Sequence, residues 1–530
     1  MRKILFLIYF YAHKIYKQKV TGVINFMENL VVLNTKKYLG RKQIVLDCKF
    51  QIESGKEVQK VLAVCGKPVL TETTVTNGNV NFVGKVNVKL VYLTESNERE
   101  CLNCLVDFNE YYDNSLIEIG DFADIELKVV DVTTPSIKAN EVKVACILDA
   151  VISLSKNKTC EQASENDDIF YKKSLCEISK QVANFKDSFD VSEEFRIEGD
   201  LKCVLSVDVD MAIKECYCGN GFAVVGGDAY VNIIYEDESD EIKMYKTNFA
   251  VKQEVQIDNV NKDCIAVGQI VPLDFLSKCT VAQGENCNIV RWEAPVNVSG
   301  VIYENFLIDK IDDAYACKNN VELNVSTQET IKNLVQTTIE DTVKGEVPLK
   351  DEINATLLGY MFSGVEVSSS FVQNDKLTIE GVVSTTILYK DENQENQNNN
   401  VQSVIAEFPF SVEHSKAEFD GVTNNQVTPN ITDLDVGIKN NKIELVTKLQ
   451  FNVFCFEDEK IDFVDAVSIT SPRKPADCAM EIIIVQKEQT LWELGKSLGV
   501  SVEQILEQNP NIVEPLNQND KIVIYHNYKG

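Results

Sequence analysis

Apolar and polar residues alternate one by one along most of this chain, and one alternating segment returns three times. Gly84–Tyr92, Gly227–Tyr235 and Gly381–Tyr389 each run from a glycine to a tyrosine eight positions later. Steps of two from the glycine give Val86, Val88, Leu90 and Tyr92; Ala229, Val231, Ile233 and Tyr235; and Val383, Thr385, Ile387 and Tyr389. A period of two sends successive side chains to opposite faces, so each segment predicts a strand with one buried face. Seven residues before each glycine stands an asparagine in a turn: Asn77-Gly78, Asn220-Gly221 and Asn374-Asp375. Asn-Gly supplies the positive φ angles of a type I′ hairpin turn, and Asn-Asp is a weaker version of it.

The surroundings repeat as well. Val80/Phe82, Ala223/Val225 and Leu377/Ile379 follow the turns, and Val61-Leu62 and Val204-Leu205 precede the first two at matching offsets; the third copy, near Ile353 to Leu358, has drifted by insertion. Each tyrosine is followed by an acidic or polar turn (Thr94–Glu98, Glu236–Asp240, Asp391–Glu395), and a further strand begins around Phe108, Phe249 and Phe410. The copies lie 143 and 154 residues apart, too far for a solenoid repeat, so each reads as a separate domain. Strand, hairpin and strand without helical periodicity predict antiparallel sheet in a sandwich or open barrel. The expected architecture is mainly β: three tandem antiparallel β domains at 27–160, 170–308 and 325–470. The glycine-rich Gly219–Gly227 has Val224 where a G-x-G-x-x-G loop needs its third glycine, and a strand follows it instead of a helix, so it reads as a hairpin.

After a Pro-containing linker at 471–480 the periodicity changes. Glu481–Gln486 reads as a short strand, Thr490-x-x-Glu493 is a capping box opening a helix that ends at Gly499, and Ser501-x-x-Gln504 opens a second helix stopped by Asn509-Pro510. Lys521–Tyr525 closes as a strand, which gives a βααβ module over 481–530.

Composition narrows the chemistry. The 52 Lys+Arg against 81 Asp+Glu leave a charge of −29, which argues against nucleic acid or an anionic membrane as partner. Three histidines, and no Walker A, G-x-S-x-G or H-E-x-x-H motif, predict no catalytic residues, cofactor or metal. The sixteen cysteines include Cys101-x-x-Cys104 and Cys216-x-Cys218, over a hundred residues apart, too far for the usual paired zinc spacing; most others, such as Cys48, Cys65, Cys146, Cys203 and Cys455, sit in apolar stretches and read as reduced core residues. Residues 1–26 carry five basic side chains and no acid, with a nine-residue apolar run Ile4–Ala12 too short to span a bilayer. They read as a leader or a mis-set start ahead of Met27, with a functional anchor or signal as the alternative, and no stable membrane insertion is expected.

The C-terminal residues Thr490-Leu491-Trp492, Leu498–Val502, Ile505-Leu506, Asn509–Ile512 and Lys521–Ile524 resemble a LysM module. That resemblance implies a shallow groove for N-acetylglucosamine glycans, lined here by Gln489, Thr490, Leu491, Asn509, Pro510, Asn511 and Ile512. LysM modules usually have Gly-Asp where this chain has Glu488-Gln489, which sets glycan binding against it. Tandem acidic β repeats ending in a LysM module are similar to the SPOCS-domain proteins of spore-forming clostridia. The resemblance implies a non-enzymatic assembly protein of the mother-cell cytoplasm, placed at the forespore surface and spore coat. Its LysM end would dock the morphogenetic ATPase of the coat basement layer, while the β domains aid encasement. Tethered β domains would add avidity. A peptidoglycan-binding cell-wall protein and a sporulation or envelope protein with another partner are the alternatives.

Overall fold

The computed structural model describes residues 30–138, 140–284, 287–349, 354–392, 401–474 and 476–526. The leader expected at 1–26 lies outside the described residues. The first unit comprises β1 (Leu30–Gln51), β2 (Val58–Thr76), β3 (Asn79–Thr94), β4 (Arg99–Asp113), β5 (Phe122–Lys138) and β6 (Glu141–Glu161). They form two antiparallel three-stranded sheets, in the orders β1-β6-β5 and β2-β3-β4. The same order returns in β7 (Phe170–Glu198), β8 (Cys203–Cys218), β9 (Phe222–Glu236), β10 (Ile242–Gln256), β11 (Ile265–Pro272), β12 (Lys278–Gln283) and β13 (Cys287–Tyr315), where β11 and β12 together take the place of one strand. It returns again in β14 (Asn319–Pro348), β15 (Ala355–Gln373), β16 (Lys376–Asp391), β17 (Val401–Ser415), β18 (Asn424–Lys439) and β19 (Lys442–Pro472). Each unit encloses its own apolar core between its two sheets.

The repeated glycine has a packing reason. Gly84 lies directly across the ladder from Phe108, and Gly381 from Phe410. A Cβ would stand 2.3 Å from the Phe108 ring and 2.7 Å from that of Phe410, so the aromatic ring lies over the space that glycine leaves. In the second unit Gly227 meets a neighbouring backbone instead, at 2.0 Å from the Ala212 carbonyl oxygen.

The turns depart from expectation. Asn77-Gly78 has a positive φ at Gly78 alone, and Asn220-Gly221 at Gly221 alone, whereas Asn374-Asp375 is positive at both residues (53° and 59°). The type I′ pattern therefore belongs to the turn without glycine. In the first two units the glycine backbone is occupied by a crossing loop: the N–H of Gly78 donates to the Ile117 carbonyl, and that of Gly221 to Val260, both at 2.9 Å.

The three units, each with its own core, also pack against one another. The Gly-to-Tyr strands bury their alternate face as expected, but their other face is buried as well. The residue before each tyrosine (Val91, Ile234 and Leu388) is fully buried. All three enter one cluster drawn from every unit, with Leu62, Leu205 and Met361. A second shared cluster joins Leu33 and Cys160 to Ile178, Ile461 and Phe463. A bridge between Ile331 and Ser179 joins β14 to β7 and merges two sheets into one. The ring closes because the first unit also touches the third, where the Lys36 ammonium donates to the Gln426 side-chain carbonyl at 2.8 Å.

Polar groups are buried at the same junction. Lys89 and Asp208, with side chains 8% and 9% exposed, stand 3.6 Å apart. The Phe362 N–H of the third unit donates to Asp208 at 3.2 Å, and the Asn232 amide donates to the Tyr360 carbonyl at 2.9 Å. Buried ionic groups demand partners and fixed geometry, so this network holds the units in register.

Candidate functional site

Beyond β19, β20 (Met480–Ile484) and β21 (Lys521–Tyr525) pair antiparallel, with α1 (Leu491–Leu498) and α2 (Val502–Gln508) between them in sequence. The capping box is formed: the Thr490 hydroxyl accepts from the Glu493 N–H at 3.2 Å, and the Glu493 carboxylate accepts from the Thr490 N–H at 3.0 Å. Gly499 ends α1 in the left-handed region at φ 68°, and the Ser501 hydroxyl accepts from the Gln504 N–H to open α2. Val485, Leu491, Leu494, Val500, Ile505, Ile522 and Ile524 form a core belonging to this module alone.

The expected groove residues divide by what their side chains do. Leu491 is buried in that core, while its N–H donates to the Glu514 carboxylate at 3.1 Å. Asn509 is buried too. Its amide donates to the Ile505 and Val523 carbonyls (2.9 and 2.8 Å) and its oxygen accepts from the Val523 N–H at 2.8 Å, tying the end of α2 to β21. Gln489 turns inward to accept from the Gln486 N–H at 3.0 Å. Thr490 is committed to its cap, Ile512 is half-buried against the core, and Pro510 and Asn511 are exposed. The two loops do come together, with Glu514 from one capping the helix that leaves the other. Yet of the seven residues only Pro510 and Asn511 present exposed side chains.

Glu488 adopts φ 64°, a left-handed backbone that favours glycine. The loop thus keeps a glycine's conformation while carrying a carboxylate at its lip. That side chain is 85% exposed, with Lys487 3.6 Å away.

Two surfaces were not legible in the sequence. The first is the outer face of β20–β21, where Met480, Ile482, Ile484 and Tyr525 are each about half exposed. The run Ile482-Ile483-Ile484 conceals it, because an unbroken apolar strand does not say which face is covered. The second is the contact of α1 with the β units. Trp492 packs edge-on against Tyr315 at the end of β13, with ring centroids 4.8 Å apart. Its indole N–H donates to Asp313 at 2.9 Å, and Lys496 stands 2.6 Å from the same carboxylate. The Arg473 guanidinium donates to the Lys496 carbonyl at 2.7 Å, so the expected linker is anchored at its first residue beyond β19. Burial pushes the Asp313 carboxyl up, but Lys496 with Trp492 pulls it down by more, to a net value below the ordinary one.

Among the described residues no group of three His, Cys, Asp or Glu side chains could hold a metal ion, and no helix is long and apolar enough to cross a membrane. Burial raises the Cys48 thiol to about 12, with Cys104 beside it adding to the shift, so it is not a ready thiolate nucleophile.

Family models match in two places. The model described as "SipL, SPOCS domain" matches residues 57–137 and 363–439, and the LysM domain model matches 483–524. The two SPOCS segments cover β2–β5 of the first unit and the corresponding stretch from within β15 to β18 of the third. No curated protein matches the chain. Both domain types are non-catalytic binding or scaffold domains, the first sporulation-associated and the second of the peptidoglycan-binding class. The chain thus carries two segments that match the SPOCS domain model and, at 483–524, one that matches the LysM domain model.

Proposed function

We propose that this is a non-enzymatic assembly protein of the spore coat or envelope, acting in the mother-cell cytoplasm at the forespore surface. Its LysM module docks the morphogenetic ATPase of the coat basement layer, and its β units contribute to encasement of the forespore. The observation that carries this reading is the outer face of β20–β21. Met480, Ile482, Ile484 and Tyr525, 48–57% exposed on a sheet of two five-residue strands, form an apolar surface suited to a protein and ill suited to a hydrated glycan. The groove adds support, since its side chains are largely committed to the module and Glu488 puts a charge at its lip.

The second reading, peptidoglycan binding, is favoured by the LysM match itself and by the exposed Pro510 and Asn511. One pair of binding assays separates the two. The full chain, a chain ending at residue 478 and the Ile482→Asp variant are measured against purified ATPase and against purified cell wall. Docking predicts that truncation and Ile482→Asp both abolish ATPase binding. Cell-wall retention that chitin fragments compete away, unchanged by Ile482→Asp and accompanied by no ATPase binding, would establish the glycan reading instead.

A further inference from the structure

The contact between α1 and the end of β13 has the form of a bound ligand. One carboxylate, Asp313, takes both donors that the outer face of α1 offers, the Trp492 indole N–H and the Lys496 ammonium. One ring, Tyr315, covers the indole, and its hydroxyl donates to the Val500 carbonyl at 3.0 Å. Gly495 makes room for it, since a Cβ there would lie 2.6 Å from the Tyr315 hydroxyl. A bulge between Ile311 and Asp313 re-aims the strand end toward the module. Neither Trp492 nor Tyr315 belongs to the module's core, so the module does not need this contact to fill its interior.

We infer that the outer face of α1 is a second recognition surface, occupied at rest by the chain's own Asp313–Tyr315. The partner it fits is a protein segment carrying an acidic residue two positions before an aromatic one. The carboxylate of that segment replaces Asp313 between Trp492 and Lys496, and its ring replaces Tyr315. The internal segment holds the site because linkage gives it an effective concentration on the order of millimolar, so a weak contact suffices and a stronger segment in trans displaces it. The face lies across the module from the apolar sheet surface, and the inference does not depend on what binds there.

The chain has two tryptophans, and Trp292 is buried in the second unit, so a Trp292→Phe background leaves Trp492 as the sole reporter. In that background Lys496→Glu, at a half-exposed helix position that the β units do not need for folding, sets two carboxylates against each other. It lowers the docking constant about tenfold, with a red-shifted emission and faster acrylamide quenching. Asp313→Ala with Tyr315→Ala opens the face fully. Adding a synthetic peptide of residues 309–318 then restores protection of Trp492, whereas the same peptide with Ala at 313 does not. Quenching unchanged by Lys496→Glu and by the double variant, or a peptide that gives no protection, overturns the inference. No ATPase enters the experiment, so failure of ATPase docking and failure of this inference are read separately.

Discussion

Asp208→Ala tests whether the three β units are one body. Asp208 lies in the second unit, and its carboxylate serves all three. It faces Lys89 of the first at 3.6 Å, accepts the Phe362 N–H of the third at 3.2 Å, and accepts the Ser206 hydroxyl of its own at 3.1 Å. Removing it leaves a buried ammonium hydrogen-bonded to the Val207 carbonyl at 3.2 Å with Asp274 as its remaining carboxylate, together with a Phe362 N–H that has lost its acceptor. Breaking a buried pair in this way costs about 3–5 kcal/mol, a large share of the roughly 5–15 kcal/mol that keeps a domain folded. The exposed pair Lys85–Asp107 is shorter, 2.6 Å, but its side chains are 36% and 75% exposed, so Asp107→Ala costs at most about 1 kcal/mol. Burial, and not distance, decides between them. Lys89→Met with Asp208→Asn removes the charges and keeps an acceptor for Phe362, and it recovers most of the loss. The assay is urea unfolding followed by Trp292 emission and by circular dichroism. The two probes coincide in the parent and separate in Asp208→Ala as the second unit decouples. A loss no larger than that of Asp107→Ala, or probes that never coincide, would refute a shared body.

The same junction predicts a pH response. Burial pushes the Lys89 ammonium down, but Asp208 and Asp274 push it up, to a net value above the ordinary one. A raised lysine contributes stability fully below its unfolded value and loses it as pH rises through the folded one, so the urea midpoint falls in the alkaline range above about pH 10.5 and is flat near neutrality. Glu488→Gly relieves a left-handed residue worth about 1–2 kcal/mol of strain, partly offset by the added chain entropy of glycine, so it raises the module's stability by about 0.5–1 kcal/mol in a thermal melt read on Trp492. Together with Gln489→Asp it also increases chitin affinity if the carboxylate at the lip is what opposes glycan; unchanged affinity counts against that cause. Gly381→Ala places a Cβ 2.1 Å from the Glu366 carbonyl oxygen and 2.7 Å from the Phe410 ring, which costs about 1–3 kcal/mol in urea unfolding.

Each unit's inner strands were legible because their alternation runs unbroken from glycine to tyrosine. The long outer strands were not. β7, β13, β14 and β19 run 29 to 31 residues, serving their own sandwich at one end and the contact between units at the other. Bulges at Ile302/Tyr303, Ile311/Asp313 and Lys332/Val335 reset the phase of alternation along them, and a period-two pattern cannot be followed across such a reset. Burial on the second face was hidden for another reason. Lys89 and Asn232 read as the polar side of a half-exposed strand, and the neighbouring unit supplies their partners, the Val207 carbonyl with Asp208 and the Tyr360 carbonyl. The module was more legible, since its caps and stops are local signals, but Trp492 faces a residue 177 positions away in sequence, beyond any local pattern.

The closed arrangement changes how this protein could bring partners together. Independent beads would gather weak contacts through flexible linkage, with avidity set by linker reach. Here three units share buried clusters, and as long as Asp313 and Tyr315 occupy the outer face of α1 the module is held at the end of β13, with Arg473 as a further tie, so in that resting state binding surfaces are presented at fixed separations. A rigid presenter loses less entropy on binding than a flexible one but demands that its target match its spacing. Lengthening the segment between Pro472 and Met480 with a Gly/Ser insert is therefore expected to weaken engagement that uses the module and the β units together, while leaving binding to the module alone unchanged. A tethered-bead mechanism predicts little change in either, so comparing capture by the full chain with capture of an isolated module-binding partner distinguishes the two.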